Sequence, residues 1–282
     1  MKSTLLGSLK GGAGKSSVIL NLADSAARTL GMRVLVIDSD PQATASDTFG
    51  VDEHDGLPTL ADAYALWRQG QQVDLTDLVV ERPGRWACSL IPADLRLVAV
   101  EGSRAPGDEF MLAEMLSSLR DAFDWVLLDQ SASVGVLSTN LLHAADHAML
   151  VVRPDRATLS ASAVWLEAIS AVVRTPPTNF VTGAVVTGFV QRRREPRRRI
   201  EELETWAPNA GIMHPYGGVH GAPVQLLEPY LTERAVFNAT FGAGIPVHLG
   251  PASHARRQAE AEIDALAAAL WTHTEQIEGK HS

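Results

Sequence analysis

The sequence predicts an α/β fold: a mostly parallel, twisted sheet flanked by helices on both faces, with a phosphate-binding loop at its start. Three observations carry this. Short apolar runs alternate with longer helical stretches along the chain, the pattern of a parallel sheet. The first apolar run leads directly into the glycine-rich segment Lys10-Gly11-Gly12-Ala13-Gly14-Lys15-Ser16-Ser17. Two later apolar runs end in acids, Val34–Ile37 in Asp38-Ser39-Asp40 and Trp125–Leu128 in Asp129.

The elements follow in order. A strand over Ser3–Ser8 leads to a helix from Gly14 to Leu30. A strand over Arg33–Ile37 leads to a loop and a helical stretch near Leu60–Gln69. A strand over Ala87–Ile91 precedes a helix over Glu109–Ala122. A strand over Trp125–Leu128 precedes a helix over Val136–Ala144, and one over Ala148–Val152 precedes a helix over Leu159–Val173. A strand over Val181–Thr187 precedes a helix from Pro196 to Trp206, and the last helix spans Ser253–Ile277. Pro176-Pro177 reads as a loop before a strand. There is no linker rich in Pro, Gly or Ser and no internal repeat, so residues 1–282 are expected to form a single domain, as this length allows. Only nine residues precede Lys10, which leaves no room for an N-terminal helix-turn-helix module.

The glycine-rich segment points to nucleotide chemistry. A loop of this kind running into a helix leaves backbone N–H groups of Gly11, Gly12, Ala13, Gly14, Lys15, Ser16 and Ser17 free to cradle phosphates, and the helix dipole adds positive potential. Lys15 supplies a mobile charge for the β- and γ-phosphates, and the Ser16 hydroxyl suits Mg²⁺. Asp129 closes a buried strand and suits a Mg²⁺ ion held through water. The acids at the ends of parallel strands sit where open α/β sheets bind ligands. ATP is the expected nucleotide. The loop departs from G-x-x-x-x-G-K-[ST] at its first position, where Leu9 stands, and Lys10 follows as a second lysine. On its own, Lys10 reads equally well as a solvated loop residue.

Lys10 to Ser17, Asp38-Ser39-Asp40-Pro41-Gln42, Asp124–Asp129 and the run Ser133–Asp146, in this order and spacing, resemble the ParA/MinD family of deviant Walker A ATPases, and Ser133–Asp146 favours its ParA branch. The resemblance is strong over 1–50 and 123–160 and diffuse elsewhere, with later echoes at Gly188–Arg199 and Arg234–Val247. It implies that Lys10 is the signature lysine that reaches the ATP of the partner subunit in an ATP-dependent homodimer. It places Asp38 and Asp40 on the switch segment, with Asp40 orienting the attacking water and Asp38 supporting the magnesium shell, and Asp129 on the Walker B acid. It further implies slow hydrolysis stimulated by a centromere-binding or cargo adaptor protein, and non-specific binding of double-stranded DNA. After Asp129 the family has Cys or Thr and two prolines, whereas this chain has Gln130-Ser131-Ala132. Hydrolysis or switching is therefore expected to differ.

Charge carries a second indication. The chain has 24 basic and 33 acidic residues, yet Arg192, Arg193, Arg194, Arg197, Arg198 and Arg199 crowd into eight positions. One reading is a solvated helix paired to Glu201, Glu202 and Glu204; the other is a patch for DNA phosphates. The resemblance places such a patch in the C-terminal half. The single cysteine, Cys88, excludes an internal disulfide and a four-cysteine metal site, and reads as a buried strand residue. His214 and His220 lack an acid or cysteine at ligand spacing, so no metal is expected there. There is no signal peptide and no apolar run of membrane-spanning length. A cytoplasmic, nucleoid-associated protein is expected. Two other readings compete. A MinD-like membrane-cycling ATPase would need a basic amphipathic C-terminal helix, and this end is acidic. An ATP-dependent small-molecule synthetase would need a substrate motif beside the γ-phosphate, and the sequence shows none.

Overall fold

Among the described residues, eight strands form one sheet in the order β3-β4-β2-β5-β1-β6-β7-β8, with only the β3–β4 pair antiparallel. They are β1 (Lys2–Gly7), β2 (Val34–Ser39), β3 (Val80–Glu81), β4 (Ser89–Ile91), β5 (Trp125–Gln130), β6 (His147–Val152), β7 (Val181–Val186) and β8 (Gln225–Leu227). The computed structural model describes residues 1–103, 105–133, 135–158, 160–162, 164–165, 181–190, 196–201 and 225–279. The predicted fold class is the observed one.

Strand periodicity builds two cores. Successive side chains of a strand point to opposite faces. Leu5, Leu35, Ile37, Val126 and Leu128 enter one cluster, and Leu6, Val34, Val36, Trp125 and Leu127 the other. Both faces of these strands are therefore dry, as buried parallel strands require. The first cluster is covered by α3 (Leu60–Arg68), α4 (Leu97–Glu101), α5 (Met111–Met115) and α6 (Val136–Ala144). The second is covered by α1 (Lys15–Thr29), α2 (Thr44–Phe49) and the terminal helix α8 (His254–Gly279), with α7 (Ala235–Gly242) at its margin. Trp125 fills the second core and donates its indole N–H to Thr4 Oγ1 at 2.9 Å. Trp271 of α8 packs edge-on against it, ring centroids 5.3 Å apart.

The differences from sequence expectation are local. β2 and β5 run on through Ser39 and Gln130, because the acids that were expected to end them keep pairing, Asp38 opposite Asp129 and Ser39 opposite Gln130. The helix expected over Glu109–Ala122 is broken into a 3₁₀ turn over Asp108–Phe110, α5, and a second 3₁₀ turn over Leu116–Leu119. The hydroxyls of Ser117 and Ser118 bond back to the carbonyls of Glu114 and Met115, which competes with the helical ladder. α2, α4, α7, β3 and β8 were not anticipated; each is too short for a periodic signal. Cys88 is buried, one residue before β4. Residues 156–158, 160–162, 164–165 and 196–201 are helical, while the remainder of those two predicted helices, Pro176-Pro177, His214 and His220 lie outside the described residues. Among the described residues no cluster of potential metal ligands occurs.

Asn140 ties α6 to the broken segment. Its Oδ1 accepts the Leu112 N–H at 3.0 Å, and its Nδ2 donates to the carbonyls of Asp108 and Val136. It is fully buried. Asn140→Ala strands the Leu112 N–H and the Asp108 carbonyl away from water, so it should lower stability by about 1–3 kcal/mol. Urea denaturation of the two proteins measures this.

Candidate functional site

The site forms where β1, β2 and β5 end side by side. Their register brings Leu6 opposite Asp129 and Asp129 opposite Asp38, so the loop after β1 emerges beside both acids. Gly12 and Gly14 hold φ of 77° and 81°, a conformation that only glycine adopts readily. The turn they make delivers Lys15 as the first residue of α1. No side chain caps that helix N-terminus, so its first N–H groups stay open to an anion. Thr187, just past β7, fixes the loop by donating its hydroxyl to the Ala13 carbonyl at 2.8 Å.

Lys15 is only 8% exposed. Burial lowers its pKa, and the charges of Asp129 and Asp40 oppose that shift. Asp129 is fully buried, and among the described residues neither of its oxygens has a hydrogen-bond partner at full bonding geometry. Burial pushes its pKa up to about 8, the Asp38 charge adds to the rise, and the Ser16 hydroxyl and Lys15 partly offset it. A dry carboxylate with both oxygens unspent is the donor that a divalent cation or its water shell needs, so the residues present fit Mg²⁺.

Asp38 has a different occupation from Asp129. Its carboxylate accepts from the Asp40 N–H at 3.0 Å and from the Ser46 N–H and hydroxyl at 2.9 and 2.7 Å. It thereby fastens the switch segment to α2. Its pKa is also raised, first by burial, with the Asp40 charge adding to the rise and these hydrogen bonds limiting it. Asp40 is half-buried and accepts the Gln42 N–H at 2.9 Å. Lys10 does not join the acids around Lys15. Its ammonium lies 2.9 Å from Asp155, just before the helical residues 156–158, and both side chains are about a third or more exposed, 34% and 41%. The two lysines of one loop thus have separate partners.

The structure brings Lys15, Ser16, Asp38, Asp40 and Asp129 together around the glycine loop. Of the arginine run, Arg197 and Arg198 are exposed and Arg199 is half-buried; Arg192, Arg193 and Arg194 lie outside the described residues. Sequence reasoning missed Asp155 and Thr187, which belong to strand ends without a motif of their own. It also missed a cavity of about 150 Å³ beside the loop, lined by Gly12, Ser17, Arg153, Gly188, Glu233 and Asn238. The echoes around Gly188 and Arg234 were its only signal.

Comparison with known proteins gives concordant results. The AAA domain family model matches residues 1–180. A ParA family protein of Chlamydia pneumoniae is 33% identical over 161 residues, which cover 55% of this chain and 60% of that relative. The sporulation initiation inhibitor protein Soj of Bacillus subtilis is 25% identical over 235 residues, 78% of this chain and 88% of Soj. Among solved structures, the ATP complex of a Cyanothece McdA variant superposes with a TM-score of 0.77 at 18% identity, covering 96% of each chain. Cobyrinic acid a,c-diamide synthase of Mycobacterium smegmatis, with ADP and magnesium bound, superposes with 0.73 at 21% identity, covering 98% of this chain and 96% of the synthase. At these identities the superpositions establish the fold.

The raised pKa of Asp129 has a consequence for the free protein. The folded state holds a proton that the unfolded chain releases near the ordinary value of about 3.9, so this stabilisation is complete below that pH and is lost as pH rises through the folded value of about 8. Asp129→Asn mimics the neutral acid at every pH. Without nucleotide or metal, its thermal midpoint should match the wild type below about pH 4, exceed it increasingly from there to about pH 8, and stay ahead by a constant margin above that. Parallel melting curves that ignore pH would contradict the assignment.

Proposed function

The chain belongs to the AAA domain family, in its ParA/MinD-type ATPase group, and from that premise we propose that it is a ParA-type positioning ATPase that dimerises on ATP, binds DNA without sequence preference and hydrolyses ATP slowly until an adaptor protein stimulates it. The observation that carries this reading is the division of labour between two lysines of one loop. Lys15 is buried among the acids and serves the phosphates of its own subunit. Lys10 stands at the rim, held only by a half-exposed ion pair to Asp155, an interaction worth about 0–1 kcal/mol. A triphosphate presented by a second copy carries more charge than one carboxylate and outcompetes it, so ATP itself becomes part of the dimer interface.

In this reading the uncapped N-terminus of α1 and the glycine loop bind the phosphates, and Lys15 neutralises the β and γ oxygens. Ser16 and Asp129 would hold Mg²⁺, with Asp38 shaping the segment beside it; the ion supplies charge neutralisation on the phosphates. Asp40 orients the water that attacks the γ-phosphorus as the bond to the β–γ bridging oxygen breaks, giving ADP and phosphate. The cavity beside Gly12 and Gly188 takes the nucleoside end. Arg197 and Arg198 offer charge to DNA phosphates, which suits a protein that works on the nucleoid in the cytoplasm.

The MinD-like reading needs a terminal helix with a free apolar face. Here Ala259, Ile263, Leu266, Ala267 and Leu270 of α8 are buried in the second core. Among the described residues no helix is long and apolar enough to cross a membrane. The synthetase reading shares the fold with the Mycobacterium enzyme, but it gives no role to Lys10 at the rim or to exposed Arg197 and Arg198.

Two experiments test the proposal. Light scattering with ATP or ADP should show a wild-type dimer with ATP only. Lys15→Ala should lose nucleotide binding, whereas Lys10→Ala should bind ATP and remain a monomer; an ATP-dependent Lys10→Ala dimer sinks the role given to Lys10. In the second, duplex DNA of mixed sequence should bind with ATP and much less with ADP, and binding should fade with salt. Arg197→Ala with Arg198→Ala should lower the slope of log affinity against log salt by about 0.9 for each DNA phosphate left without its arginine. DNA binding indifferent to nucleotide and to these substitutions, or wild-type binding to anionic liposomes instead, would defeat it.

A further inference from the structure

Gln130 follows Asp129 directly, at the position where the resemblance leads one to expect Cys or Thr, and no step above uses it. It is the last residue of β5, opposite Ser39 of the switch segment, and 1% exposed. Its amide is bonded at both ends. Nε2 donates to Ser138 Oγ at 2.8 Å and to the Ser133 carbonyl at 3.3 Å, while Oε1 accepts the Trp165 indole N–H at 3.0 Å. Ser138 in turn donates to the same Ser133 carbonyl at 2.7 Å. One side chain therefore joins the strand of Asp129, the loop that follows it, α6, and the helical residues 156–158, 160–162 and 164–165 that end in Trp165. β1 makes room for the junction: a Cβ at Gly7 would collide with both Trp165 and the Gln130 amide.

The same helix is tethered at its other end. Asp155 caps it by accepting from the N–H and hydroxyl of Thr158 at 2.8 and 3.0 Å, and it also holds Lys10. The two tethers differ in kind. Lys10–Asp155 is half-exposed and exchangeable, because water or another anion can replace either partner. Gln130–Trp165 is dry, Trp165 being 1% exposed, and no water is at hand to replace a broken bond. When Lys10 leaves, the helix keeps its hold on Gln130. The loop is bolted from outside as well, since Glu101 of α4 accepts from the Ser133 hydroxyl at 2.8 Å and the Leu137 N–H at 2.9 Å.

We propose that Gln130 is a positioning residue for ATP turnover: through Trp165 it makes the loop after Asp129 and the helix after Asp155 shift as one body, so that departure of Lys10 is felt beside Asp129. This rests on the ATPase reading above. Gln130→Met keeps the length of the side chain and removes all its hydrogen bonds. Trp165→Phe keeps an aromatic ring and removes one donor. Single-turnover hydrolysis and ATP titration are measured on wild type, both single variants and the double variant. Each single variant should lose about tenfold in turnover with ATP affinity unchanged within about twofold, a split that general loosening of the fold would not give. The double variant should be no slower than the slower single one, because both cut the same link. Wild-type turnover in Trp165→Phe, or losses that multiply in the double variant, would overturn the proposal. If Gln130→Met does not fold, the Trp165→Phe split decides alone. A wild type that binds ATP and never hydrolyses it overturns the ATPase reading together with this inference, and that outcome is recognisable because it appears before any substitution.

Discussion

Asp129 is the constraint around which the rest is arranged. A carboxylate buried in a sheet, with neither oxygen hydrogen-bonded at full geometry among the described residues, is expensive in any fold. The protein moderates that cost without removing it. Lys15 lies close enough for its charge to act on the acid, and Ser16 offers a hydroxyl. Asp38, the neighbouring acid in the register, is instead saturated by Ser46 and the Asp40 N–H. Two acids side by side thus have opposite roles, one satisfied by protein and one left for a ligand. A phosphate-bound divalent cation would complete the second, and the stability withheld in the free protein would then return as binding energy.

Keeping one acid unsatisfied demands that everything around it stay in place. Each loop of the site is accordingly pinned by side-chain hydrogen bonds, some local and some from far along the chain. Thr187 holds the glycine loop through Ala13, Ser46 holds the switch segment through Asp38, and Glu101 and Gln130 hold the loop after Asp129 from its two sides. These are buried or half-buried hydrogen bonds, costly to leave unmade. The exception is Lys10–Asp155, whose partial exposure makes it the easiest interaction of the set to exchange. Magnitude alone marks it as the pair that can change partners.

The sequence made the phosphate-loop end of the sheet legible and left its supports hidden, for a physical reason. Phosphate binding dictates residue types at fixed spacing, so Gly11 to Ser17, Asp38, Asp40 and Asp129 stand out of one chain, whereas Lys10 took its role from the family resemblance. The strands could be read because dry parallel strands are continuous apolar runs, and their ends were missed by a residue or two where polar residues such as Lys2, Ser39, Gln130 and His147 go on pairing. Supports obey no such spacing. Thr187 and Asp155 meet the loop across 174 and 145 residues, and any residue with a hydroxyl or carboxylate at a strand end is an equal candidate before the fold is known. Short helices such as α2 and α4 escape because one turn and a half carries no period, and the break in Glu109–Ala122 escapes because serine back-bonding is decided by packing.

The terminal helix shows how the same physics limits the outer surface. α8 could have presented an amphipathic face to a membrane, but its apolar residues pack into the second core alongside α1, where Ser25 and Arg28 also meet Asp264 at 2.6 Å each. What α8 shows outward is mainly small and polar residues, such as Arg257, Gln258, Ala261, Ala265, Thr272 and Glu275. The second core in turn backs Val18, Ile19 and Leu22 of α1, the helix that carries Lys15 in its first turn. Removing α8 from the core to serve an external surface would therefore slacken the helix that delivers Lys15. A chain built this way is poorly suited to trade its terminal helix for a lipid, and in the proposed cycle external contacts fall to groups the core does not need, Lys10 at the rim and the exposed arginines near 197.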